Sequence, residues 1–523
     1  MELRVVIIGM KKRNDKQVVF KPYIQNQLSL LPQTYDELVP QNHPVRVINK
    51  VLDKIDAQPL LRLYKPGGAS TYHPVMLLKV LVYGYVNNIY SSRKIEAALQ
   101  ESIYFRWLSG NNQPDHNTIN RFRSDRLKDV LKKIFTQVVQ LLAEEKLLSI
   151  KELYTDGTKI EANANRYTFV WGNAIKTNNE KIKKQLDELW QYAQKVAAAE
   201  MDDTDPSGFD KIDAEKVEQT IEKINEALKD KPVPKEVKQK LNYARKNWPA
   251  ALERYEQQEK IIGENRSSYS KTDTDATFMR MKEDHMKNGQ LKPAYNLQVS
   301  SNNQYIVHYS IHQNTTDTST LIPHLNQYSA QYNTKPEAVT ADAGYGSEEN
   351  YTYLEEKQAT AYVKYNHFDN EQNENYNNKR PFTPDKLYYN AEQDCYYCPM
   401  GQKMSNTGSY AKTTANGYRQ TITRYRAQNC EGCPLRGVCH KSKDNREIEV
   451  NHHLNSLKRQ AKELLNTEEG ILHRKKRCFD VEPVFANIKN NHHFKRFMLR
   501  GIEKVTIEAG LLALAHNLRK KAA

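Results

Sequence analysis

Two short apolar runs constrain this chain more than anything else in it. ELYTD (152–156) and EAVTAD (337–342) each read as a strand ending in an aspartate, with glycine one or two positions on. Runs this short, rich in aromatic or β-branched residues and bounded by turn residues, suit strands better than helices. Amphipathic helical segments surround them, so the chain reads as α/β. In such folds the carboxyl ends of strands are where sites are built, which makes Asp156 and Asp342 candidate site residues. A third acid, Glu482, opens the helical segment VEPVFANIKNN. Lys489 follows seven residues later, on the same face of a continuous helix.

The rest divides by pattern. Residues 1–22 form an N-terminal tail. Its apolar stretch is too short for a signal peptide, and MKKRNDKQ from Met10 reads like the start of a cytoplasmic protein. Residues 23–149 read as an all-α, DNA-binding unit. There YHPVMLLKVLVYGYV has helical spacing, with Pro74 in its first turn. A second amphipathic segment follows SGNNQPDH, capped by Asp115, Asn117 or Thr118 and opening with Arg121, Arg123 and Arg126. Two helices across a short polar turn suggest a helix-turn-helix; a packed pair with a basic face would look the same. Residues 150–175 begin the α/β core. Residues 176–264 read as a helical hairpin, with turns at DDTDPSGFD and KDKPVP. Residues 265–370 return to strands and helices, 371–465 form a small Cys-rich insertion, and 466–523 end the chain in helices.

Composition limits the function. No run of 18 apolar residues exists, so membrane spans are not expected. With 32 Tyr, 13 Phe and 4 Trp among 523 residues, the chain is not a disordered one. The net charge of +15 calls for an acidic partner, nucleic acid first. Residues 471–523 concentrate it, with twelve Lys and Arg against Asp480, Glu482, Glu503 and Glu508. Arg477, Lys475 and Lys476 are candidate phosphate contacts there, together with Lys489, and Arg121 and Arg123 in the N-terminal unit.

Converging carboxylates repel one another, and a divalent cation relieves that. Mg²⁺, or Mn²⁺, takes carboxylate and water oxygens, and two such ions about 3.5–4 Å apart suit an in-line phosphoryl displacement. A lone strand-end aspartate, by contrast, commonly caps a turn. Five of the six cysteines cluster: Cys395, Cys398, Cys430, Cys433 and Cys439. Two Cys-x-x-Cys pairs about thirty residues apart predict a structural Zn²⁺ held by four of these five, with reduced thiols as the alternative. Cys478 reads as buried. Asp273 and Asp275 read as structural, and His308, His312, His492 and His493 as exposed or DNA-facing.

YTDGTKIEANANR, TDTDATFM, PAYNLQV, TADAGYGS and VEPVFANIKNNHHFKRFMLRG, in this order, resemble the bacterial insertion-sequence transposases of the DDE type. The nearest subgroup has an N-terminal helical domain and a cysteine-bearing insertion before the glutamate. The resemblance runs from about residue 20 to the end. It implies a ribonuclease H-like mixed sheet with flanking helices, with Asp156, Asp342 and Glu482 as catalytic residues and ligands of two Mg²⁺ or Mn²⁺ ions. It also implies cleavage of double-stranded DNA at element ends, transfer of the freed 3′-OH into target DNA, and a homodimer on DNA. Lys489 fits the family's downstream lysine. The arginine expected four residues before the glutamate is replaced by Cys478, which leaves Arg477 as the candidate. A non-catalytic zinc-containing DNA-binding protein and a stand-alone metal-dependent nuclease are the two other readings.

Overall fold

A computed structural model describes residues 34–64, 71–197, 212–264, 266–281, 289–379 and 381–523. The expected tail and the DDTDPSGFD break lie outside them. The first eight strands in chain order are β1 (Glu152–Glu161), β2 (Phe169–Trp171), β3 (Ser268–Ser270), β4 (Thr277–Arg280), β5 (Leu291–Asn302), β6 (Tyr305–His312), β7 (Ala338–Ala341) and β8 (Thr360–Val363). β1 is the hinge of the central sheet. It pairs antiparallel with β5 from Tyr154 to Glu161. On its other edge it pairs parallel with β7, only over Glu152–Tyr154. β8 continues the parallel side, while β6 and β4 flank β5 antiparallel. A mixed sheet in this order is consistent with the ribonuclease H-like expectation.

β5 and β6 are buried on both faces, because helices cover each side. One cover is the C-terminal helix Ile502–Ala522, packed against β6 and against helix Pro74–Val86. The N-terminal helices therefore share one continuous apolar core with the sheet. The expected second helix of a helix-turn-helix is broken. His116–Arg121 runs into a π-type turn, Phe122–Arg126, before Leu131–Glu144 begins. Among the described residues, the expected hairpin at 176–264 is an arm of the helices Gly172–Val196, Ala214–Ala227 and Lys235–Ile262. It has its own core around Leu186, Trp190, Ile221 and Trp248. The antiparallel β2–β3 pair ties both its ends to the core.

The Cys-rich segment forms a separate antiparallel sheet of β9 (Tyr388–Asn390), β10 (Cys395–Tyr397), β11 (Lys403–Thr413), β12 (Arg419–Ala427) and β13 (Glu447–Val450). Most of β11 is exposed, and the apolar cluster beneath the sheet is small.

His308 and His312 are not exposed, contrary to expectation: both are buried on β6. A polar chain runs from Thr155 Oγ1 to Ser300 Oγ (2.7 Å), His324 Nε2 (2.8 Å), then from His324 Nδ1 to Ser310 Oγ (2.6 Å) and His312 Nε2 (2.7 Å). His308 Nδ1 pairs with Gln331 Oε1 at 2.8 Å. Burial pushes the His312 imidazole down to about 4, and those of His308 and His324 well below their usual value. The unfolded chain therefore binds more protons than the folded one as pH falls below about 6.5, and stability is lost from there downward toward about pH 4. Each such imidazole contributes up to about 1.4 kcal/mol per pH unit in that window. The melting midpoint should fall steeply from pH 6.5 to 4.5, and less steeply in His312→Gln. A flat profile would contradict the buried neutral imidazoles.

Candidate active site

Asp156 does not end its strand. β1 runs on to Glu161, and Gly157 lies opposite Gln298 in an unbroken ladder with β5. What ends near Asp156 is the pairing with β7, so its side chain stands where the parallel side of the sheet opens. Asp342 directly follows β7, as expected, and caps a short turn by accepting from Gly344 N at 2.8 Å. Glu482 does not open a helix. It lies deep within Glu468–Ala486, followed at once by Pro483. That helix is fixed to the sheet by Asp480, which accepts from Ser301 Oγ (2.6 Å), Asn303 N (2.7 Å) and Gln304 N (3.1 Å). Two turns nearer the helix start, His473 stacks on Tyr362 with ring centroids 4.1 Å apart.

This anchoring brings Arg477 of the same helix between the three acids. Its Nη2 lies 3.2 Å from Asp156 Oδ2 and 3.7 Å from Asp342 Oδ2, and its Nη1 lies 3.3 Å from Glu482 Oε1. The side chains of Arg477 and Asp156 are only 13% and 14% exposed, whereas Glu482 is 55% exposed. Arg477, expected on phosphate, is thus an internal counter-ion for the carboxylates. Three carboxylates without nitrogen or sulfur donors are a set that suits Mg²⁺ or Mn²⁺. Among the described residues no three His, Cys, Asp or Glu side chains stand in a metal-gripping arrangement; here the guanidinium takes the place between them.

A fourth acid went unread in the sequence. Asp317 Oδ1 accepts from Asn296 Nδ2 (2.8 Å) and Gln298 Nε2 (3.0 Å). The Tyr345 hydroxyl donates to Gln298 Oε1, which turns the Gln298 amide nitrogen toward Asp317. Burial first, then the charges of Asp317, Asp156 and Asp342, hold the Tyr345 phenol well above its usual range, so it stays a donor. Gly157 makes this packing possible: a Cβ there would sit 2.3 Å from Gln298 Nε2 and 2.6 Å from Asp317 Oδ1. QNTTDTST carries no periodicity that marks Asp317; only the fold brings it under the strand bearing Asp156.

The basic candidates divide by burial. Lys489 is buried, because Pro483 and the π-type turn Asn487–Asn491 end the regular helix and spoil the two-turn spacing from Glu482. Arg123 is also buried, donating to Tyr90 O (2.7 Å) and Asn120 Oδ1 (3.1 Å). Lys476 lies 3.8 Å from Glu152 and over the Tyr154 ring. Lys475 and Arg121 are exposed. Lys475→Ala should therefore reduce the magnitude of the salt slope of DNA binding by roughly one unit. Arg123→Ala should leave that slope alone and lower the melting temperature. The reverse pattern, read by binding titrations at several salt concentrations, would overturn this division.

The remaining expectations resolve on geometry. Asp273 is buried and accepts from Tyr295 OH (3.0 Å) and Gly501 N (3.2 Å), while Asp275 accepts from Ile502 N at 2.9 Å. Both fasten the start of the C-terminal helix. His492 is half-buried beside Arg519, and its carbonyl accepts from Tyr90 OH at 2.7 Å; His493 is exposed. Cys478 is exposed, not buried. Cys398, Cys430, Cys433 and Cys439 line one cavity, with His440 and Arg446. Cys395 does not line it.

Asp156, Asp342 and Glu482 thus gather around one arginine beside the mixed sheet. Residues 397–522 match the family model described as "Transposase DDE domain", and residues 33–125 match the one described as "Transposase domain (DUF772)". Both matched stretches are thus similar to transposase domains. The first covers Glu482 and four of the clustered cysteines, and the second covers most of the N-terminal helices; Asp156 and Asp342 lie between the two. No curated protein and no solved structure matches the chain. Among the described residues no helix is long and apolar enough to cross a membrane.

Proposed function

We propose that this chain cuts double-stranded DNA at the ends of its own element and joins the freed 3′-OH to target DNA. The observation that carries the reading is the convergence of Asp156, Asp342 and Glu482, from three distant parts of the sequence, on the single guanidinium of Arg477. Asp156, Asp342 and Glu482 are the residues that would hold a divalent cation. Such an ion, when bound, neutralises charge on the phosphate undergoing displacement and activates the attacking oxygen.

The protein's own contribution is placement. Gly157 N donates to Asp156 Oδ1 at 2.8 Å and Gly344 N to Asp342 Oδ1 at 2.8 Å, so both aspartates are oriented by backbone before any substrate arrives. Glu482, more exposed and on a helix, closes the third side and has room to adjust. Arg477 offsets part of the negative charge that would otherwise repel a DNA phosphate. Exposed Lys475 and Arg121 supply phosphate contacts outside the acidic centre. Handling two element ends at once suits a homodimer on DNA.

Metal-dependent nicking of the DNA bracketing the gene tests this. Mg²⁺-dependent cuts at inverted repeats on either side of the coding sequence are expected. Binding without nicking would favour a non-catalytic DNA-binding protein, and nicking without joining of precut ends would favour a stand-alone nuclease.

A further inference from the structure

The Cys-rich sheet takes no part in the chemistry described above, and its cysteines need a separate account. Cys395 and Cys398 form the first Cys-x-x-Cys pair, yet the fold separates them. Cys395 is fully buried within β10, with its Sγ 3.9 Å from Gln393 Oε1. Cys398 lies just past the end of that strand, where Cys398 N donates to Gln402 O and Gly401 N donates back to Cys398 O, both at 2.9 Å. This tight turn, closed by Gly401 at φ +78°, lines a cavity of about 20 Å³ that Cys395 does not line. Cys430, Cys433 and Cys439 reach the same cavity from a second irregular segment, in which Arg436 N donates to Cys433 O at 3.0 Å and Cys439 N donates to Leu435 O at 2.8 Å. A space of that size holds about one water-sized sphere.

Two of these sulfurs share one donor residue. Arg446, itself buried, donates from Nη1 to Cys439 Sγ at 2.8 Å and from its backbone N to Cys430 Sγ at 3.3 Å. A guanidinium at this distance can offset the negative charge of a metal–thiolate centre. The module's own apolar core is small. Its buried cluster is Tyr396, Met404, Tyr425, Ala427, Cys430, Ile448 and Val450, under a sheet whose longest strand is mostly exposed. Small units with so little core are commonly completed by a structural metal.

We infer that Cys398, Cys430, Cys433 and Cys439 bind one tetrahedral Zn²⁺ as four thiolates, that Cys395 is not a ligand, and that Arg446 is the counter-ion of the resulting dianionic centre. The described thiols do not stand in metal-gripping geometry, so capture draws them inward across the cavity and moves the Arg446 head from direct contact with Cys439 to the second layer. Ion binding closes all four positions, leaving none for a reactive water. The site is therefore structural: it fixes the two irregular segments against each other beside the strand that leads into β11. This inference stands independently of the transposition chemistry.

The test uses the full chain, purified reduced and without chelator. Metal analysis should return about one zinc per chain. The cobalt-substituted protein should show intense thiolate-to-metal charge transfer and the visible bands of a tetrahedral ion. Cys395→Ser should keep its zinc, and Cys433→Ser or Cys439→Ser should lose most of it. Where a serine variant fails to fold, the wild-type cobalt spectrum still decides. Zinc below about 0.1 per chain would overturn the site. Zinc loss in Cys395→Ser, or loss in His440→Ala with retention in Cys398→Ser, would overturn the four-thiolate assignment.

Discussion

Asp156→Asn, Asp342→Asn and Glu482→Gln each lose at least about 10³-fold in DNA cleavage while binding end DNA with an unchanged salt slope. The amide variants matter because a strand-end aspartate also has a structural role. Asp342 caps the turn at Gly344, and truncation to alanine would cost about 0.5–2 kcal/mol from the lost cap alone. Asparagine keeps an oxygen acceptor at that position and removes only the charge. Asp342→Asn should therefore melt near the wild-type temperature and still fail to cut. Asp156→Asn keeps the acceptor for Gly157 N but weakens the contact to Arg477. Equal melting with lost cleavage assigns these side chains to chemistry; wild-type cleavage by any one of the three removes that residue from the site.

Arg477→Met has the second large effect, and its sign depends on metal. Without a divalent ion, the variant leaves three carboxylates facing one another, with Asp156 only 14% exposed. Removing one partner of such a cluster strands charge that was compensated. The metal-free protein should melt several degrees lower than wild type. Mn²⁺ should then raise the variant's midpoint by more than it raises the wild type's, because the ion no longer competes with a guanidinium for the same oxygens and binding to the folded state alone stabilises it. An equal Mn²⁺ increment in both proteins would mean that ion and arginine do not share a site.

The two aspartates were legible because apolar runs too short for helices ended beside glycines. The extent of β1 was not. TKIE alternates polar and apolar residues weakly, and what keeps it extended is the long antiparallel pairing with β5, a contact across more than a hundred residues. The helix that carries Glu482 was begun too late. Ile471 and Leu472 are exposed there, so the apolar stripe that marks a buried face is missing from the first turns. Docking there runs through the polar and aromatic contacts of Asp480 and His473, which carry no periodic signal, with Val481 and Val484 buried only toward the helix end. Lys489 was misplaced for a local reason, since Pro483 and the π-type turn break the spacing on which its position was read. Arg477 was legible as a basic residue and illegible as a counter-ion, because its direction depends on the strands it faces. The cysteine spacing marked out the module while leaving open which thiols share a cavity. A pair spaced for one knuckle was split by a strand that buries Cys395.

The most direct measurement of the central claim follows strand joining with precut end DNA and a target plasmid. Wild-type protein with Mg²⁺ should produce a covalent DNA–DNA joint at the 3′ end of the element. No protein should be attached to DNA at any stage, since both steps are in-line displacements by oxygen nucleophiles that are not part of the protein. Glu482→Gln should bind the same DNA and yield no joint. Joining retained in Glu482→Gln, or a covalent protein–DNA species on the way to product, would contradict an active site built from Asp156, Asp342 and Glu482.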